Sequence, residues 1–290
     1  MPVCSTKTLV RCTRRLALCT PLLLGAAAGA QDASTDSAAL PLWEAGVFAG
    51  GLSTPASPAS SQRNQRALVL PFLVYRGDVL RADRNGVGAR MVHTDRFEFD
   101  VGFAASLPAS SNDIELRQGM PDLGTLIEFG PRVKLELAEP AAGQRITFEL
   151  PLRAVLEFNG GVRQVGYALE PKLAYEWRAA PDWRLKGAAS LVIGDQQLNQ
   201  YFYGVSAAYA NTSRPSYEAQ AGLVSSRLTV DGGKRLTPDL NLFAFARYDL
   251  YDGAANRNSP LFAQNQGNSF GLGLTWTLGR SNRSAGSDAQ

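Results

Sequence analysis

The densest set of chemically capable side chains lies in VYRGDVLRADR, Val74 to Arg84. There Arg76, Asp78, Arg81, Asp83 and Arg84 follow an apolar run from Leu68 to Tyr75. Arginine and aspartate at this spacing suit a carboxylate-centred catalytic cluster, a set of mutually satisfied ion pairs, or a hydrated turn. His93 is the only histidine, so a Ser–His or carboxylate–His hydrolase must use it as general base. Asp95 and Asp100 are the carboxylates near it, but His93-Thr94-Asp95 reads as a turn and no serine stands beside it in sequence. Arg76-Gly77-Asp78 also matches a cell-attachment tripeptide.

Metal and thiol chemistry have little to draw on. Cys4, Cys12 and Cys19 all precede residue 30, and there is no Asp-rich loop. The expected cofactor complement is therefore none. Residues 1–30 read as a secretory signal peptide. Lys7, Arg11, Arg14 and Arg15 form the basic region, Leu16 to Ala28 the apolar region, and Ala28-Gly29-Ala30 the cleavage site. Its removal takes the formal net charge from +3 to −1, because four cations and no acid are lost. Nothing then recommends a nucleic-acid partner. An exported chain without disulfides must draw its stability from size, a sheet network or a membrane.

The elements that would position these residues are strands. Phe97, Phe99, Val101 and Phe103 alternate with Glu98, Asp100 and Gly102; Ile146 to Phe158, Val165 to Trp177 and Phe270 to Leu278 alternate in the same way. Period two over about ten residues makes one apolar and one polar face. These runs exceed the usual five or six residues of globular strands and match the nine to eleven needed to cross a bilayer. Glu98, Asp100, Glu128, Arg132, Lys134, Glu149, Arg153, Glu170 and Lys172 on the second face suit a wet lumen. The fold class expected is all-β, an antiparallel transmembrane β-barrel of the bacterial outer membrane. No amphipathic helix competes.

The expected strands are 42–52, 66–76, 78–84, 87–92, 95–106, 123–137, 144–158, 163–178, 183–196, 217–236, 239–251 and 267–278. That makes twelve. The alternative is ten, because 78–84 and 87–92 are too short to cross. A linker at 31–41 precedes the barrel of 42–278, and a polar tail of 279–290 follows. Long polar segments at 53–65, 107–122, 197–216 and 252–266 belong on the outer side, and short turns at 138–143, 179–182 and 237–238 in the periplasm. Trp43, Trp177, Trp183 and Trp276 then fall at periplasmic ends, where an aromatic girdle belongs. Pro131, Pro151 and Pro171 sit mid-strand in consecutive strands and should break ladder bonds there. Tyr201-Phe202-Tyr203, in a long outer segment, is expected either to contact ligand or lipid or to fold into the barrel mouth.

Several stretches resemble one family. They are Leu42-Trp43-Glu44 with Gly50-Gly51-Leu52, Val74 to Asp83, Gly119-Met120-Pro121-Asp122-Leu123 and Asn258-Ser259-Pro260-Leu261. Together they resemble the outer-membrane MltA-interacting protein/OmpV family over essentially the whole mature chain, most specifically in VYRGDVLRAD. The resemblance implies a barrel without catalytic activity. It also implies a scaffold that brings a lytic transglycosylase and a peptidoglycan synthase together at the murein layer, with outer-membrane lipid around it. The other functional expectations are a narrow, weakly selective solute channel and an envelope hydrolase using His93. The charges of Val74 to Arg84 are best read as Arg–Asp pairs, with Asp78 or Asp83 bound to an arginine of the same hairpin.

Overall fold

A computed structural model describes residues 40–76, 80–83 and 86–285, with side chains omitted for 80–83 and 86–90. The strands are β1 (Trp43–Pro55), β2 (Arg63–Arg76), β3 (Leu80–Asp83), β4 (Gly86–His93), β5 (Phe97–Ser106), β6 (Thr125–Ala138), β7 (Gln144–Phe158), β8 (Val162–Leu169), β9 (Lys172–Ala180), β10 (Trp183–Gly194), β11 (Gly222–Arg235), β12 (Leu240–Leu250) and β13 (Gln266–Arg280). One helix, α1 (Gln196–Tyr203), lies between β10 and β11. No described helix is long and apolar enough to cross a membrane.

All thirteen strands join one sheet that closes on itself, since β13 pairs with β1 and β11 with β10. Closure removes most sheet edges, as spanning a bilayer with strands requires. The segments β8 and β9 make a single stave. Both lie between β7 and β10, and both keep one register against β7, with Leu152 opposite Leu169 and Glu149 opposite Lys172. Thirteen segments therefore form twelve staves, in agreement with the larger expected count. The short pair β3 and β4 are separate staves, not extensions of their neighbours. Among the described residues, β3 meets β2 at Tyr75 and Arg76. Higher up, the Asn64 side chain donates to the Pro108 carbonyl at 2.9 Å and ties β2 to the segment after β5.

The prolines act as their chemistry dictates. The strand breaks at Glu170-Pro171, which separates β8 from β9. Between β6 and β7 the pairing passes from Phe129 opposite Ala154 to Arg132 opposite Pro151 and skips Gly130 and Pro131. A Cβ on Gly130 would lie 2.1 Å from the Leu152 carbonyl oxygen, so only glycine lets the two backbones approach there.

Alternation holds around the wall. In β13, Phe270, Leu272, Leu274, Trp276 and Leu278 are exposed on the outer face. Trp43, Trp177, Trp183 and Trp276 are all exposed and lie toward the end carrying the short turns, and Lys234 caps the Trp183 ring at 4.9 Å. These are the positions of an interfacial aromatic belt. Three sequence expectations need correction. The 183–196 strand ends at Gly194 and gives way to α1, capped by Asp195, whose carboxylate accepts from Leu198 N at 2.8 Å. The 217–236 strand starts only at Gly222, because the preceding segment folds over the mouth. His93 is the last residue of β4, not a turn residue; the turn that follows is closed by Thr94 N donating to Phe97 O.

Candidate functional site

The lumen is lined by the polar face of β5 to β12, and the strand registers bring its charges together. Asp100 stands opposite Arg132, which stands opposite Pro151. The Asp100 carboxylate accepts from Arg132 Nε at 2.9 Å and from its Nη2 as well, a bidentate pair. Glu149 then gathers three cations, with Lys186 at 3.1 Å, Lys172 at 3.9 Å and Arg132 at 4.0 Å. Lys186 also reaches Glu176 at 3.0 Å.

Glu170, in the proline-induced gap, is the second hub. It binds Arg153, accepts from Ser190 Oγ at 3.0 Å, and lies 3.7 Å from Arg227 and 3.9 Å from Lys172. Arg153 continues to Glu128 at 3.2 Å and Arg227 to Asp249 at 2.7 Å. The result is one connected ladder of opposite charges from β5 to β12. Its acids Asp100, Glu149, Glu170 and Asp249 are buried. Charges withdrawn from water this far are stable only when paired and hydrogen-bonded, which the alternating signs provide. Of the lumen-lining set expected from the sequence, Asp100, Glu128, Arg132, Glu149, Arg153, Glu170 and Lys172 are thus brought together. Glu176, Lys186, Arg227 and Asp249 also belong to the ladder and were not in the expected set.

The outer mouth is covered by four long segments, 56–62, 107–124, 195–221 and 251–265, which bind one another. Arg117 is buried and donates to the Phe202 carbonyl at 3.2 Å. Arg214 Nη1 donates to the carbonyls of Leu116 at 2.9 Å and Gln118 at 3.0 Å. Asn256, fully buried, accepts from Gln220 N at 2.8 Å and returns a bond to Gln220 O at 2.9 Å. Ala59 holds a left-handed conformation at φ 59° and accepts from Ala263 N and Gln264 N. Ala59, Tyr203, Ala219, Val224, Tyr251 and Ala254 pack as an apolar core inside this cap.

The Tyr201-Phe202-Tyr203 cluster folds into the mouth. Tyr201 OH donates to Glu157 Oε1 at 2.8 Å and accepts from Gly124 N at 3.0 Å, and Tyr203 is 1 % exposed. Burial pushes the phenols of Tyr201, Tyr203 and Tyr251 up, with a nearby carboxylate adding to the shift of Tyr201, and Tyr251 reaches about 12. Burial likewise lowers the Arg117 guanidinium from its ordinary value.

At the opposite end the sheet continues past the rim. Leu42 N donates to Arg283 O, Ala285 N to Leu40 O and Ser281 N to Trp43 O, so residues 40–43 and 281–285 form a paired ribbon. The start of the expected polar tail is therefore held in place. Arg76 pins the ribbon. It lies 2.8 Å from Glu44, its Nη1 donates to Pro41 O at 2.9 Å, and its backbone N donates to Leu42 O. Arg76 thus pairs with Glu44 of β1, a residue outside the hairpin. Asp78 and Arg84 lie outside the described residues, as do the side chains of Arg81 and Asp83, and with them the expected Asp78 or Asp83 pair. The signal peptide and most of the linker also fall outside the described residues.

His93 Nδ1 stands 4.0 Å from Glu98, and no described serine bonds to it. Asp100, the other carboxylate considered for it, is engaged by Arg132. Among the described residues no cluster of His, Cys, Asp and Glu could hold a metal ion.

The family described as MltA-interacting protein MipA matches residues 47–278. This chain belongs to the MipA family. Its match covers β1 to β13 apart from the first and last few residues. No curated protein matches the sequence. Among solved structures, the NanC porin is 12% identical, covering 80% of this chain and 100% of that one at a TM-score of 0.41. The COG4313 outer membrane channel of Pseudomonas putida F1 is 12% identical, covering 86% and 100% at 0.37. Outer membrane phospholipase A of Escherichia coli is 8% identical, covering 82% and 94% at 0.32. This MipA-family chain is an outer-membrane β-barrel.

Proposed function

We propose that this barrel is a non-enzymatic scaffold that holds a murein hydrolase, and through it a peptidoglycan synthase, against its periplasmic rim. The observation that carries the reading is the match over 47–278 to a family described by its interaction with MltA. The geometry is compatible with it. One mouth is covered by long segments bonded to one another, whereas the other end presents the ordered ribbon of 40–43 and 281–285 fixed by Arg76 and Glu44. The 4.0 Å from His93 to Glu98, with no serine bonded to it among the described residues, supports a role without catalysis.

The test is a pull-down of envelope extract on the folded barrel, beside a barrel carrying Arg76→Glu. The reading expects a lytic transglycosylase on the first and less of it on the second. Absence of any murein enzyme from the wild-type eluate counts against it.

A second reading, a narrow solute channel, draws on the mixed-sign lining of the lumen. Planar-bilayer recording decides it: steps of conductance support a channel, and silent bilayers with folded protein reject it.

A further inference from the structure

The lumen has a second wall of opposite character. On β12, β13, β1 and β2 the inward positions are Phe243 and Phe245, Gly271 and Gly273, Phe48 and Gly50, and Leu68, as the ladder registers dictate. The aromatic rings occupy the space above glycines. A Cβ on Gly271 would meet Phe245 Cε1 at 2.4 Å, and one on Gly273 would meet Phe48 Cε2 at 2.4 Å. Glycine under an aromatic ring is a known device of β-sheets, and here it opens space beside the ring. Phe48, Leu52, Leu68, Phe243 and Phe245 border an apolar groove of about 40 Å³. Phe243 is 40% exposed although it points inward, so the strip faces the lumen and not a packed core.

Next along the same face of β12 is Arg247, about 7 Å beyond Phe245 at two strand residues. Its Nε is buried without a hydrogen-bond partner. The nearest acid on its own strand, Asp249, is already committed to Arg227 Nε at 2.7 Å and to Ser225 Oγ at 3.1 Å. Glu170, from the facing part of the ladder, is held by Arg153, Lys172 and Arg227. Across β13 and β11, Arg247 faces Ser269 and Thr229, which are neutral. A half-buried arginine whose Nε has no partner, two strand residues beyond an apolar groove, is complementary to an anion that carries an alkyl tail.

We propose that the lumen holds a binding site for an amphiphilic anion, an unbranched alkyl carboxylate, with its tail on Phe48, Phe243 and Phe245 and its carboxylate on Arg247. This site is independent of the scaffold reading, since it uses the lumen and not the rim.

The probe is radiolabelled octanoate in equilibrium dialysis against the mature barrel in lipid nanodiscs, with empty nanodiscs subtracted. Octanol serves as the neutral analogue and acetate as the tail-less one. The expected result is saturable octanoate binding, with octanol and acetate each weaker by about tenfold or more, the scale of one lost charge-assisted or apolar contact. Arg247→Met should weaken octanoate about tenfold, while Arg247→Lys retains most of the binding and Phe245→Ser loses it with Arg247 intact. Heat-modifiable gel mobility verifies that each variant is folded. Octanoate binding no greater than to empty nanodiscs, equal binding of octanol, or an Arg247→Met barrel that binds like wild type would each overturn the proposal. A channel or scaffold assay reads neither outcome, so failure here leaves the earlier readings to their own tests.

Discussion

Glu170 is the position at which the lumen ladder is most exposed to a single change. Its side chain is 7% exposed and touches Arg153, Ser190, Arg227 and Lys172. Glu170→Leu removes all four contacts and keeps the volume roughly constant. Breaking a buried ion pair by removing one partner costs about 3–5 kcal/mol. The lower end applies, because each stranded cation keeps a second acid. Arg153 keeps Glu128 at 3.2 Å, Arg227 keeps Asp249 at 2.7 Å, and Lys172 keeps Glu149 at 3.9 Å. The expected loss is about 3 kcal/mol, roughly two decades in the folding equilibrium. Glu170→Gln, which can still bond Ser190, should lose about half as much. The control is Glu139→Gln, whose exposed carboxylate lies 3.6 Å from Arg145 and should contribute under about 1 kcal/mol. The assay is reversible urea unfolding in thin-bilayer vesicles, followed by tryptophan fluorescence. If Glu170→Leu and Glu139→Gln unfold at the same midpoint, the ladder does not hold the barrel together and the reasoning fails.

The remaining expectations concern the cap, the glycine-backed rings and the rim. Tyr201→Phe deletes the bonds to Glu157 and Gly124 and should destabilise the cap by about 1–2 kcal/mol, seen as faster proteolytic nicking within 195–221. The raised phenols of Tyr201, Tyr203 and Tyr251 keep their protons longer in the fold than in the unfolded chain. Their contribution is complete below the ordinary tyrosine value of about 10 and declines as pH climbs from there towards the 12 reached by Tyr251. A phenolate absorbance titration that shows every tyrosine ionising together near pH 10 would contradict this. Gly271→Ala forces the Phe245 ring aside and should cost about 1–3 kcal/mol, and adding Phe245→Ala should recover part of that loss in a double-mutant cycle. Arg76→Leu should raise amide exchange at Leu42 and Ala285 while leaving β6 and β7 unchanged.

What could be read from the sequence was whatever repeats locally. Alternation from Phe97 to Ser106 and from Ile146 to Phe158 marks strands and their faces, because a residue's face is fixed by its parity. The breaks near Pro131 and Pro171 were equally legible, since proline has no N–H to give to a ladder. The cap was not legible. Arg117 and Phe202, or Tyr217 and Asn256, are far apart in sequence, and nothing in their local surroundings announces the bond. α1 was missed because Gln196 to Tyr203 is short and its helical signal is one Asp195 cap. The apolar lumen strip was hidden for a different reason. In Leu242-Phe243-Ala244-Phe245-Ala246 both faces are apolar, so periodicity cannot tell inside from outside. The clue was in the partner strand, where Gly271 and Gly273 leave room for rings on one face only.

Where the long segments lie on the outer side, as expected of an outer-membrane barrel, the interlocked cap also determines what the cell surface shows to the outside world. An antibody or a phage meets no free-standing loop, but a mosaic assembled from four stretches of chain distant in sequence. Synthetic peptides copied from 107–124 or 195–221 would lack the Arg117–Phe202 and Arg214–Leu116 bonds that shape them here. Sera raised against such peptides should therefore bind denatured barrel better than intact cells. For the same reason the loops are not free to drift in sequence one at a time. A change that suits one must still fit the carbonyls of another.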